Sequence, residues 1–115
     1  MSEIQELTDK ILKFRNDRDW QKFHNYKDMA LGLSLEASEV MEHFQWKNQE
    51  EAEEYLKTHK EDLADELSDV LYWVLLMSHD LGIDLKEALP RKLRKNELKY
   101  PLDKAKGKNV KYTQL

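Results

Sequence analysis

The hydrophobic positions along the chain follow the period of an α-helix. Within residues 3–18 the apolar side chains recur every three or four positions, at Ile4, Leu7, Ile11 and Phe14. This spacing gathers them on one face and predicts an amphipathic first helix. Trp20 and Phe23 follow in a short polar connection. There they either close one end of a helical bundle or line a pocket.

The same period predicts a second and a third helix. Residues 27–46 carry apolar side chains at Met29, Leu33, Ala37, Val40 and Phe44. Residues 47–57 are polar and acidic, and predict a loop with a short solvated helix. Residues 60–82 form the longest predicted helix, with apolar side chains at Leu63, Leu67, Val70, Leu71, Val74, Met77 and Leu81. Gly82 fits the C-cap of that helix.

A fourth helix is predicted from Asp84 to about Leu98, before Tyr100-Pro101. With two Pro and three Gly in 115 residues, the chain predicts an all-α fold, a four-helix bundle. We expect one helical domain over residues 1–101 and a basic tail over residues 102–115. A bundle this small leaves apolar surface to cover, so we also expect the chain to oligomerise.

Composition narrows the functional classes. The net charge of −4 argues against nucleic acid as a partner. The absence of cysteine excludes disulfides, cysteine-ligated zinc and a cysteine nucleophile. No apolar run approaches the length of a membrane span, and the first residues are too polar for a signal peptide. The sequence therefore predicts a cytoplasmic protein without a membrane partner.

Two acidic pairs, Glu36-x-x-Glu39 and Glu66-x-x-Asp69, mark the second and third helices. Residues three apart share a helix face, so each pair aims two carboxylates in nearly one direction. Two such faces packed together would gather four carboxylates, which repel one another unless a cation lies among them. Hard oxygen ligands favour Mg²⁺, Mn²⁺ or Ca²⁺.

Aromatic and cationic residues accompany the acidic pairs. Trp73 follows Asp69 by one helical turn, where it belongs either to the core or to a site for a flat base. Gly32, one turn before Glu36, leaves room either for a close approach to the backbone or for a tight helix crossing. In the fourth helix a cationic strip continues the helix face that begins with Leu85. An inward-facing lysine without a partner is costly, so this strip should meet an anion. Its members are Lys92, Asn96 and Lys99.

Together these features predict hydrolysis of a nucleoside triphosphate, because metal ions held by carboxylates bridge phosphate oxygens and activate water. The sequence has no Gly-rich phosphate loop of the Walker type. An oxygen-handling di-metal carboxylate bundle would need Glu-x-x-His pairs, which are absent from the sequence. The alternative is a non-catalytic helical oligomer, whose acidic faces are solvated or bind metal and which serves as a binding or scaffolding protein.

Further blocks of sequence resemble one family. They are Arg18–His24, Leu35–Glu39, Phe44–Lys47, Asp65–Leu71, Lys92 with Asn96, Tyr100-Pro101 and Lys111–Leu115. In this order they resemble the MazG-like nucleoside triphosphate pyrophosphohydrolases of the all-α NTP pyrophosphatase superfamily. The resemblance is closer to the dCTP pyrophosphatase branch of that superfamily.

The resemblance implies a helical dimer or dimer of dimers that releases pyrophosphate and leaves a nucleoside monophosphate. It implies dCTP or a modified dCTP as the substrate, and a role in cleansing the nucleotide pool. It implies Mg²⁺, with Mn²⁺ as the alternative ion, held by the catalytic residues Glu36, Glu39, Glu66 and Asp69. Base-binding and phosphate-binding positions are expected at Trp20, His24, Trp46, Trp73, Lys92, Asn96 and Lys99. Trp73 stands where that branch carries Tyr, so the base pocket is expected to differ in shape.

Overall fold

The computed structural model describes residues 2–115, which fold into helices and turns without a strand. The helices are α1 (Glu3–Asp17), α2 (Tyr26–Glu42), α3 (Gln49–Leu81), α4 (Leu85–Lys99) and the short α5 (Leu102–Ala105). Single 3₁₀ turns lie at Gln21–Phe23 and Tyr112–Gln114. The predicted all-α fold with four long helices is confirmed. Within the described range, no helix combines the length and apolar character that a bilayer crossing requires.

Local sequence sets where the helices begin and end. The Asn25 side chain accepts a hydrogen bond from the backbone N–H of Asp28 and begins α2. Asn48 and Glu51 form a capping box at the start of α3. Gly82 ends α3 in the left-handed region, with a φ of 69°. Asn25 and Asn48 accept hydrogen bonds from backbone N–H groups at a helix start, and the Gly82 N–H donates to carbonyl groups of the last turn of α3. These backbone groups would otherwise be unpaired at a helix end.

The third helix is continuous, and the predicted break before residue 60 is wrong. α3 spans 33 residues, which corresponds to about 50 Å. Residues 57–60 contain neither Gly nor Pro, so nothing in the backbone interrupts the helical hydrogen bonds. Ala52 is buried and Tyr55 is half-buried, so this stretch packs on one side. The short solvated helix predicted within residues 47–57 is therefore the first part of α3, and its predicted separation from the helix over residues 60–82 is what the structure corrects.

Two compact units make up the described chain. The first ends at Gly82 and contains α1, α2 and α3; the second spans Ile83–Leu115 and contains α4 and α5. In the first unit, α2 and α3 form an antiparallel pair, and α1 packs on α3. The predicted boundary between a domain ending at residue 101 and a tail beginning at residue 102 stays a prediction.

The buried side chains of the first unit differ in part from the predicted stripes. Met29 on α2, a predicted core residue, and Leu76 on α3, which lay outside the predicted stripe, are fully buried. On α1, however, Thr8 and Arg15 are the buried residues, and the predicted core residues Ile4, Leu7 and Phe14 are about two-fifths exposed. Several predicted core positions of α2 and α3 are exposed as well, namely Ala37, Leu67, Leu71 and Leu81. A single chain thus leaves much of its apolar surface uncovered.

Candidate functional site

Four carboxylates converge where α2 packs against α3. Glu36 and Glu39 come from α2, Glu66 and Asp69 come from α3, and one oxygen of each lies within 4.8 Å of the others. Glu36 and Glu66 are half-buried, whereas Glu39 and Asp69 are exposed. Because both pairs lie inside continuous helices, the backbone holds them in register. The arrangement expected from the sequence is therefore present.

Burial and mutual repulsion make this cluster a poor place for four free negative charges. Burial above all, then hydrogen bonding with Glu39 and the charges of Glu39, Asp69 and Glu66, raise the pKa of Glu36 to about 7. Hydrogen bonding with Glu39, followed by burial, raises the pKa of Glu66, while His43 opposes that rise. Near neutral pH the cluster thus retains a proton unless another cation replaces it.

The atoms of the cluster fit a divalent cation. Oε2 of Glu36 and Oε2 of Glu66 are buried and have no hydrogen-bond partner among the described residues. Buried acceptors are normally paired, so two such oxygens facing two further carboxylates point to a ligand. A set of four carboxylates is the donor chemistry that hard divalent cations prefer.

His43 lies behind Glu66. Its Nε2 is 3.9 Å from Oε1 of Glu66, and its Nδ1 shares a hydrogen bond with the hydroxyl of Tyr55. Tyr55 in turn stacks on His59, with ring centroids 4.1 Å apart. The pairing of His43 with Tyr55 was not predicted from the sequence, because Tyr55 lies in the polar run 47–57, which was expected to form a loop with a short separate helix. Had α3 been predicted as one continuous helix packed on α2, Tyr55 could have been placed opposite the end of α2 that carries His43.

Trp73 and His24 meet beside the carboxylates. Their ring centroids are 5.5 Å apart in an edge-to-face arrangement. The half-buried Trp73 lies one turn beyond Asp69, and its indole rests on the α2 backbone at Gly32. Two of the residues predicted to hold the base are therefore adjacent in the structure.

A buried ion pair anchors His24 from the other side. Arg15 is 2% exposed and donates two hydrogen bonds to Asp80, of 2.7 and 2.9 Å. Its Nη1 also lies 3.5 Å from Nδ1 of His24. The bond from Arg15 lowers the pKa of Asp80, and burial together with the Arg15 charge lowers the pKa of His24. Arg15 received no role from the sequence, although its position four residues after Ile11 places it on the inward side of α1.

An open cleft of about 520 Å³ lies at this end of the first unit. It is lined by Gln21, His24, Asn25, Tyr26, His79 and Asp80. Two of the lining residues, His24 and Asp80, are polar, which suits a ligand with hydrogen-bonding groups. This cleft was not predicted from the sequence, because Asp80 is far from His24 along the chain.

Trp20 and Trp46 lie elsewhere in the single chain. Trp20 packs edge-on against Phe14, at 5.7 Å between centroids, and Phe14 contacts Tyr72 at 6.3 Å. Trp46, in the turn after α2, is 84% exposed. The structure places neither of them among the four carboxylates.

Lys92, Asn96 and Lys99 follow one another along α4, in the second unit. Lys92 and Lys99 are exposed, and Asn96 is half-buried. The ammonium of Lys99 lies 5.0 Å from the ring centroid of Tyr112, and Tyr112 contacts Tyr100 at 6.0 Å. The end of the chain therefore folds back on the end of α4.

Comparison with known proteins identifies relatives. A family model described as the MazG-like family matches residues 31–115. Proteins named dCTP pyrophosphatase 1 from Bos taurus and Mus musculus are 33% and 35% identical to the chain over 105 residues. These 105 residues are 90% of this chain and 62% of each relative, so the chain spans less than two-thirds of the curated relatives it matches.

A solved structure supports the same relationship. The crystal structure of a pyrophosphatase from Archaeoglobus fulgidus superposes with a TM-score of 0.82 and 37% sequence identity. The match covers 88% of this chain and 94% of that one. The expected all-α pyrophosphatase fold is confirmed by this similarity.

Proposed function

Because the chain belongs to the MazG-like family, we propose that it hydrolyses a nucleoside triphosphate to a monophosphate and pyrophosphate. The observation that carries this proposal is the convergence of four carboxylates between α2 and α3. The proposed substrate is a deoxynucleotide, dCTP or a modified dCTP, and the proposed role is to cleanse the nucleotide pool. The name of the mammalian relatives supports dCTP as the substrate, whereas the archaeal relative, described only as a pyrophosphatase, supports the class of reaction.

The proposed cofactor is Mg²⁺, with Mn²⁺ as the alternative ion. The four residues that would hold it are Glu36, Glu39, Glu66 and Asp69, and the unpaired buried oxygens of Glu36 and Glu66 support this assignment. When bound, such a cation neutralises phosphate oxygens and lowers the pKa of its bound water. His43, whose Nδ1 shares a hydrogen bond with the Tyr55 hydroxyl, lies 3.9 Å from Glu66 and is proposed to orient that carboxylate toward the other three.

The chemical step needs a water molecule and a stabilised leaving group. One of the four carboxylates orients or deprotonates the attacking water. The water oxygen bonds to phosphorus as the link between the α- and β-phosphates breaks, and the pyrophosphate leaves with the bonding electron pair. Lys92, Asn96 and Lys99 are proposed to stabilise the negative charge of that leaving group.

Aromatic residues are proposed to hold the base. Trp73 and His24 contact each other one turn from Asp69, which supports a base site beside the carboxylates. Trp20 and Trp46 would complete this site, in part across a subunit interface. The 84% exposure of Trp46 in the single chain is consistent with a position of that kind.

The proposed assembly is a homodimer or homotetramer. α2 carries an exposed leucine pair at Leu31 and Leu35, and α3 carries another at Leu67 and Leu71. Each pair is spaced by four residues and so forms a continuous apolar strip on its helix. A second copy of the chain would cover such strips. The cytoplasmic location stays a prediction from the sequence.

A substrate panel tests the proposed function. The purified protein is incubated with Mg²⁺ and each common dNTP and NTP, together with 5-methyl-dCTP, and the released pyrophosphate and orthophosphate are measured separately. We expect pyrophosphate from one or a few bases, and none from the Glu39→Gln variant, whose helical circular dichroism should be unchanged. Orthophosphate alone would identify a different phosphohydrolase. No release from a folded, Mg²⁺-bound protein would favour the binding or scaffolding alternative.

A further inference from the structure

Gly32 stands where α2 meets the indole of Trp73. A Cβ atom at position 32 would lie 2.9 Å from Cε2 of the indole and 3.0 Å from Cζ2. Carbon atoms pack favourably at about 3.5–4.0 Å, so no side chain larger than hydrogen fits while the indole keeps its place. The residue is in the middle of α2, where glycine destabilises a helix relative to alanine. Among the described glycines, positive φ angles occur at Gly82 and Gly107, so Gly32 provides space rather than backbone freedom.

This contact forms the layer next to the carboxylate cluster. Gly32 lies one turn before Glu36, and Trp73 lies one turn after Asp69, on helices that run antiparallel. On the far side of the same layer, Met29 and Leu76 are fully buried. Trp73 therefore lies between the closed core and the acidic cluster, and part of its indole remains exposed.

Two different neighbours fix the indole. The α2 backbone at Gly32 supports the fused six-membered ring, and the edge of His24 meets the ring system at 5.5 Å. His24 is itself held by the buried Arg15–Asp80 pair. The position of the indole relative to Asp69 is thus set by packing, and a change of one methyl group at position 32 must move it.

We propose that Gly32 is a specificity-determining residue, which sets the position of Trp73 and through it the place that the nucleotide base takes beside the carboxylate cluster. This inference rests on the proposed function, because it takes Trp73 as a base-binding residue. Gly32 is not proposed to contact substrate or metal; it acts through Trp73 as a positioning residue. Its replacement should change nucleotide affinity and base preference more than the rate of the chemical step.

The size of residue 73 determines whether a methyl group at position 32 is tolerated. The atoms that a Cβ would meet, Cε2, Cζ2 and Cδ2, belong to the fused part of the indole. Phenylalanine has a single ring, so Trp73→Phe leaves free the volume that Gly32→Ala would fill. The two substitutions should therefore be strongly non-additive, as is usual for residues in direct contact.

A double-mutant cycle tests the inference. The wild type, Gly32→Ala, Trp73→Phe and the double variant are assayed for KM and kcat with each accepted nucleotide. We expect Gly32→Ala to raise KM about tenfold for the best nucleotide and to alter the preference between bases, with kcat changed by less than about threefold. In the Trp73→Phe background the same substitution should change KM by less than about twofold. Ser34→Ala, at an exposed position of α2, is the matched control and should leave all values unchanged.

The possible outcomes separate this inference from the proposed function. Equal effects of Gly32→Ala in both backgrounds, or a loss of kcat/KM that is the same for every base, would overturn the role of Gly32 and leave the proposed function intact. Absence of hydrolysis by the wild type would overturn both. Should Gly32→Ala fail to fold, the two Trp73→Phe proteins carry the test, and a tenfold difference in KM between them would contradict the inference.

Discussion

At the residue scale, Glu36 shows how the candidate site lowers the stability of the folded protein when no cation is bound. Burial and three neighbouring carboxylates raise its pKa to about 7, so its charged form is unfavourable without a cation. We expect Glu36→Gln to raise the melting temperature in EDTA by roughly 4 °C, which corresponds to ~1 kcal/mol for a domain of this size. Mg²⁺ should stabilise the wild type and have little effect on the variant. A lower melting temperature for the variant in EDTA would contradict this explanation.

The buried Arg15–Asp80 pair gives a second prediction at this scale. Arg15→Met would leave the carboxylate of Asp80 without its partner in a site where its side chain is 16% exposed. We expect the free energy of unfolding to fall by about 3–5 kcal/mol, because an unpaired buried charge is costly. Lys13→Met is the matched control on α1, since the Lys13–Asp17 pair is 77% and 56% exposed and should contribute less than about 0.5 kcal/mol. Urea denaturation of both variants measures the difference, and equal losses would show that the Arg15 pair adds no more than a surface pair.

Single residues also show what the sequence could and could not reveal about the site. The acidic residues could be predicted because helix geometry alone brings positions three apart onto one face. Arg15 could not be assigned a partner, because Asp80 lies 65 positions away along the chain. Gly32 was recognised as a place of close approach, but the sequence did not specify that the approaching group is Trp73. Local patterns thus predict which residues share a face, whereas contacts between elements require the packing.

At the element scale, the exposed leucine pairs of α2 and α3 test the proposed assembly. Leu35 on α2 is 57% exposed and Leu67 on α3 is 52% exposed, although helix period predicted a core position for Leu67. We expect Leu35→Glu and Leu67→Glu to lower the mass measured by light scattering toward the 13.8 kDa of one chain, since a buried charge disfavours association. Thr58→Glu is the control, because Thr58 is polar and exposed and helix period places it on the opposite side of α3 from Leu67. A monomeric wild type, or an unchanged mass in both variants, would exclude this interface.

The elements themselves were predictable to differing degrees. The bounds of α1 and α4 agree with the sequence within a few residues, because an N-cap or a terminal Pro marks their ends. The interruption predicted in α3 was wrong because the polar run was taken as a loop with a short helix of its own, separate from the helix over residues 60–82. Apolar residues recur with the helical period only on the buried face of a helix. A long helix that is mostly solvated can therefore be polar for several turns. The stripe of α1 was misplaced for a related reason: the Thr8 hydroxyl and the two terminal guanidinium nitrogens of Arg15 are buried with hydrogen-bond partners, which hydrophobicity does not reveal.

At the scale of the whole molecule, stability should depend on pH in a way that a divalent cation reverses. The pKa of Glu36 rises from 4.5 in the unfolded reference to about 7, so folding favours its protonated form. Its contribution is fully present below pH 4.5 and is lost as the pH rises through about 7. Asp80 acts in the opposite sense, since its lowered pKa makes stability fall as the pH drops toward and below 3.8. In EDTA we therefore expect the Glu36 contribution to decline toward neutral pH, and Mg²⁺ to restore it.

Urea denaturation between pH 4.5 and 8, with EDTA and with Mg²⁺, measures the free energies of unfolding of the wild type and of Glu36→Gln. The quantity of interest is the wild-type value minus the variant value. Taking this difference removes the contribution of His24, whose lowered pKa makes stability rise with pH and would otherwise mask the effect. In EDTA the difference should become more unfavourable to the wild type up to about pH 7, as the Glu36 proton is lost. With Mg²⁺ it should reverse in sign, because a bound cation stabilises the ionised carboxylates of the folded state only. A difference that does not vary with pH in EDTA would mean that the four carboxylates are not coupled through the packing of α2 on α3.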